Sequence, residues 1–111
     1  MRSDRERLED IVEACDLIEG SIGHRRHDLA TDAVLQAAAQ RWIEVIGEAA
    51  AGLSEQLRDS HPDVPWRSAI GMRNILAHGY FDIDVALIGN VVERDMPALR
   101  AQVSRILAEL E

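Results

Sequence analysis

At 111 residues, 47% hydrophobic and 29% charged, the chain has the size and composition of one soluble globular domain (residues 1–111) with a single core. No apolar run reaches the roughly 18 residues of a membrane span. The charged start MRSDRERLED is unlike a signal peptide, so no membrane association and a cytoplasmic location are expected. A net charge of −8 argues against loose, whole-surface binding of nucleic acid, because phosphate affinity needs clustered cations.

The predicted elements are all helical, since no stretch alternates with a period of two. Ser3-Asp4-Arg5-Glu6 has the spacing of a capping box, and Leu8, Ile11/Val12, Cys15 and Ile18 follow as one stripe up to Gly20. Cys15, the single cysteine, falls within that stripe and reads as a small core residue. Residues 20–30 read as a connection. A long second helix is expected from near Thr31 to about Arg58, with a stripe of Leu35, Ala38/Ala39, Trp42, Ile46, Ala49/Ala50, Leu53 and Leu57. Val34, Ile43 and Val45 widen that face beyond one helical neighbour and suggest a partner surface. HPDVP (61–65) ends it, and Pro65 suits the first turn of a third helix reaching His78, with Gly79 as its cap. A fourth begins after Asp82 or Asp84, residues placed to cap it, and is kinked or broken near Pro97. Short links between long amphipathic helices give an all-α, up-and-down four-helix bundle.

The third helix carries the chemistry. From Val64 to Phe81 there is no Asp or Glu, while Arg67, Arg73 and His78 all lie there: a local cationic island in an acidic chain. At about 100° per residue, Trp66, Ala69, Ile70, Leu76 and Ala77 gather on one side, with Arg73 among them. A second strip carries Arg67, Gly71, Asn74 and His78, the glycine leaving open space. An arginine among apolar neighbours loses hydration and needs an anion. That anion is either an internal carboxylate, Glu44 or Glu48, or a phosphate gripped by two parallel hydrogen bonds. His78 either caps its helix or accepts a proton from a hydroxyl. Asn74 is placed to orient the ring or a phosphate oxygen. Tyr80 either tucks against the bundle or presents its phenol to solvent. There is no convincing metal set: His24 and His27 flank two arginines, which repel a cation. No cofactor is expected.

The longer string PWRSAIGMRNILAHGYFDID (65–84), with WIEVIGEAAAGLSEQL (42–57) before it and VVERDMPALRAQV (91–103) after it, resembles the HepT-like branch of the HEPN superfamily over nearly the whole chain. The family signature is Arg-x4-His-x-Tyr with a polar residue directly after the arginine. Arg73, Asn74, His78 and Tyr80 fill each position. The resemblance implies a HEPN-like, homodimeric bundle with both motif copies lining a cleft between subunits. It implies a metal-independent endoribonuclease acting on tRNA or mRNA, the toxin of a bacterial, type VII-like toxin–antitoxin pair. It also implies an MntA-like nucleotidyltransferase antitoxin that transfers AMP onto Tyr80, in a complex that can be a higher hetero-oligomer. In this frame Arg73, His78 and Asn74 are the candidate catalytic residues, and Arg67 is a candidate RNA-phosphate contact. Two other readings stand beside it: a non-catalytic nucleotide- or protein-binding HEPN module, and a structural partner dimerising through the second helix.

Overall fold

Helix α1 (Asp4–Ile22) starts where the capping box predicts. Glu6 N–H donates to Ser3 Oγ at 3.1 Å, and Ser3 N–H donates to Glu6 Oε1 at 3.1 Å, so two otherwise orphan donors are satisfied reciprocally. The computed structural model describes residues 2–75 and 85–110, and every regular element among them is helical. A 3-10 turn, Arg26–Asp28, lies in the connection. Helix α2 (Ala33–Gly52) is capped by Asp32, whose Oδ1 accepts from Val34 N–H at 2.9 Å and Leu35 N–H at 3.2 Å.

The expected second helix does not run to Arg58. It stops at Gly52, and Leu53 and Ser54 adopt extended backbone before a separate helix α3 (Glu55–Ser60). Ser54 caps α3 by accepting from Leu57 N–H at 3.1 Å. The Asp4 carboxylate, fifty residues away in sequence, accepts from Ser54 N–H at 2.8 Å and from Ser54 Oγ at 2.6 Å. Leu53 enters the core from the extended link and Leu57 from α3.

Helix α4 (Trp66–Ile75) follows the HPDVP turn. After it come α5 (Val85–Asn90), a π-helical turn (Val91–Asp95) and α6 (Met96–Glu109). At the expected kink or break near Pro97, the structure shows this π turn running straight into α6. Met96 N–H donates to Val91 O, a one-residue shift of bonding register just before a residue that has no N–H to give. His78, Gly79, Tyr80, Asp82 and Asp84 lie outside the described residues.

Packing follows the apolar stripes. α2 packs on both α1 and α4, and α6 packs on the other side of α1. Leu8, Ile11 and Ile18 of α1 meet Ile43 and Ile46 of α2 and Val103 of α6 in one buried cluster. Each such side chain contributes about 1.5–3 kcal/mol by leaving water. Ile43, read from sequence as widening the partner face, is part of this core. Cys15 is buried as expected, with its Sγ 3.8 Å from Met96 Sδ. Among the described residues no helix is long and apolar enough to cross a membrane.

Candidate active site

Three ties set where α4 begins. Val64 is buried, and its carbonyl accepts from Trp66 N–H at 2.8 Å. The Trp66 indole N–H donates to His61 O at 3.0 Å, so the ring is buried without stranding its donor. Gln102 of α6 donates to Asp63 O at 3.0 Å. From that start Trp66, Ala69 and Met72 point into the core. This fixes the rotation of the helix and turns Arg67 outward.

At its other end α4 crosses α2 at close range. A Cβ built on Gly47 would stand 2.8 Å from both the backbone N and the Cβ of Arg73. Only hydrogen fits there, so the glycine sets the separation of the two helices at the motif arginine. Sequence reading passed over this role of Gly47. The available signal was a glycine in the middle of an apolar helical pattern, where it costs stability unless backbone must approach.

Arg73 departs from expectation. Its side chain is exposed, not desolvated among Ile70 and Ala69, because the long side chain leaves the crossing and carries its charge out to water. Neither Glu44 nor Glu48 neutralises it. Both are exposed, Glu44 faces Arg41 at 3.8 Å, and among the described residues no carboxylate pairs with Arg73. An exposed guanidinium offers donors in a planar fork that matches an incoming oxyanion.

The first part of the neighbouring strip is open. Arg67 is exposed, and a Cβ added at Gly71 would meet nothing within 4 Å. Asn74 belongs to the last turn of α4. His78 and Tyr80 are outside the described residues, so the structure brings together Arg67, Arg73 and Asn74 on one short helix and leaves the other two to sequence. Some apolar surface stays uncovered on these two helices: Trp42 and Val45 of α2 and Ile70 of α4 are only half-buried, and Val34 is 76% exposed.

Residues 11–106 match the family model described as Ribonuclease HepT-like. The chain belongs to this family, within the HEPN superfamily. It is 38% identical to the "Putative RNase" of Caldanaerobacter subterraneus subsp. tengcongensis over 96% of each chain. It is 36% identical to the "Probable ribonuclease HepT" of Thermococcus cleftensis, over 95% of this chain and 96% of that one. A "Putative RNase" of Methanocaldococcus jannaschii is 35% identical over 86% of this chain and 89% of its own. No solved structure matches the chain. The HepT-like match spans α1 through most of α6, so the family likeness belongs to the whole bundle and not to the motif helix alone.

Proposed function

We propose that this HepT-like protein is the toxin of a type VII-like toxin–antitoxin pair and cuts RNA without a metal. The observation that carries the reading is the exposed Arg73, paired with no carboxylate among the described residues, on a helix locked against Gly47. Family membership and the ribonuclease names of its relatives support it.

The chemistry balances with the motif groups alone. His78 takes the proton of a ribose 2′-hydroxyl, and the 2′-oxygen attacks the adjacent phosphorus. The P–O5′ bond breaks, and the departing 5′-oxygen takes a proton from an imidazolium, the second copy's His78 in a dimer. Products are a 2′,3′-cyclic phosphate and a free 5′-hydroxyl. Arg73 holds the equatorial oxygens as charge gathers on them, Asn74 positions, and Arg67 meets a phosphate further along the strand. The half-buried apolar residues Trp42, Val45 and Ile70 supply a surface for the second copy. AMP added to Tyr80 by a nucleotidyltransferase antitoxin places negative charge where an RNA phosphate enters, and repulsion blocks the substrate.

The test is incubation of purified protein with tRNA and with mRNA in EDTA, followed by mass analysis of the fragment ends. Cleavage leaving cyclic phosphate supports the reading. Intact RNA, with nucleotide still bound, points instead to a non-catalytic binding module.

A further inference from the structure

The outward face of α1 is arranged against the helix's own stability. From Leu8 to Ile22 it carries five carboxylates, Glu9, Asp10, Glu13, Asp16 and Glu19, and no Arg, Lys or His. Glu9, Glu13 and Asp16 fall at i, i+4 and i+7, so they share one strip, and like charges at that spacing repel. Arg2 pairs with Asp10 and Arg100 with Asp16. Glu9 and Glu13 are exposed and make no ion pair among the described residues.

This strip runs through a shallow groove of about 510 Å³, lined by Glu9, Val12, Glu13, Asp16 and Leu17 of α1 and by Leu107 of α6. At about 100° per residue, Val12 lies on one side of the carboxylates and Leu17 on the other. Leu17 is 38% exposed, and Val12 and Leu107 are only half-buried. No basic residue lines the groove. Apolar side chains left in water and like charges held together both cost the free chain stability, and the combination marks a surface that another molecule covers.

We propose that this groove docks an amphipathic helix of a partner protein, one that carries Arg or Lys beside its apolar stripe. Charge decides among the occupants. Glu9 and Glu13 repel RNA and anionic lipid. A second copy seated face to face would set the same carboxylates against each other. A cationic helix satisfies both features: its stripe covers Leu17, Val12 and Leu107, and its basic side chains meet Glu9 and Glu13. No residue of α2 or α4 lines the groove, so filling it leaves Arg73 open. Docking here is independent of the ribonuclease chemistry.

The probe is a fluorescein-labelled peptide of about 16 residues of Leu and Lys, with leucines on one helical face, long enough to form a helix once bound. A scrambled peptide of the same composition has the same charge and no apolar stripe. By fluorescence anisotropy the wild type should bind the striped peptide at least about 10-fold more tightly than the scrambled one. Affinity should fall as salt is raised. Leu17→Ser should weaken the striped peptide about 10-fold and Glu13→Gln about 3-fold. Glu48→Gln, which removes one exposed charge from α2 outside the groove, should change affinity by less than about 1.5-fold. Leu17, Glu13 and Glu48 are all at the surface, so these variants read binding and not folding. Glu13→Gln should also keep or raise Tm, because it relieves repulsion from Glu9. A lowered Tm would give that carboxylate a structural role and overturn the docking site. No binding by the wild type, equal binding of the two peptides, or equal weakening by Glu13→Gln and Glu48→Gln overturns it as well. Self-association of the chain alone that is lost in Leu17→Ser assigns the groove to a second copy and overturns the partner helix.

Discussion

Gly47 of α2 and Arg73 of α4 touch backbone to backbone, with room for a hydrogen and not for a methyl. A methyl at position 47 would stand 2.8 Å from Arg73 N, closer than van der Waals contact allows. Gly47→Ala should therefore push α4 away from α2 and cost about 1–3 kcal/mol of overpacking strain. It should also move the guanidinium, and a shift near 1 Å at a catalytic group is enough to lower turnover about 100-fold. Thermal unfolding and single-turnover cleavage of the same preparation separate the two effects. Gly71→Ala, where an added Cβ meets open space, should leave stability unchanged or slightly raised.

Acid should loosen the start of α2. The Asp32 carboxyl is held below its ordinary range by the Leu35 and Val34 N–H groups it caps and by Arg25 at 2.9 Å. A depressed folded-state pKa gives stability that is present above the unfolded value and lost as pH falls through the folded one. The loss should thus begin near pH 4, where an unfolded Asp takes up its proton, and be complete below the folded value. Glu6, lowered by its backbone and side-chain bonds to Ser3, adds to the same trend. Urea midpoints measured from pH 6 downward check this, and Asp32→Asn, which keeps a capping oxygen but no titrating group, should flatten part of the slope.

Cys15 should be chemically silent in the folded protein. Burial pushes its thiol up to about 12, and the thiolate is the reactive form. Iodoacetamide at neutral pH should label it only as fast as the protein unfolds, and quickly in denaturant. Rapid labelling under native conditions would contradict its placement against Met96.

Tyr80 should carry the control. Co-expression with a nucleotidyltransferase encoded beside the gene should add one AMP to the intact mass, and Tyr80→Phe should remove the adduct while leaving cleavage by the isolated protein within about 3-fold.

Much of the bundle was legible in sequence because its helices are amphipathic and locally capped. The Ser3 box, the α1 stripe and the Pro65 entry to α4 all follow from contacts within a few residues. What was not legible depends on partners distant in sequence. AAAGLSEQL reads as unbroken helix, and the break at Leu53–Ser54 is held by Asp4, brought near by the fold, which accepts from Ser54. The π turn before Pro97 is a change of bonding register that leaves the hydrophobic pattern intact. For the site, a helical wheel gives the direction of the Arg73 Cα–Cβ bond and not where a long side chain ends. It therefore placed among apolar residues a charge that stands in solvent.

In the proposed reaction Arg73 and His78 cut RNA together. The most direct measurement is the single-turnover cleavage rate of Arg73→Ala and His78→Ala beside wild type, in EDTA, with helicity checked by circular dichroism. Losses of at least about 100-fold are expected in each variant with helicity retained. Cleavage at the wild-type rate in either well-folded variant would contradict it.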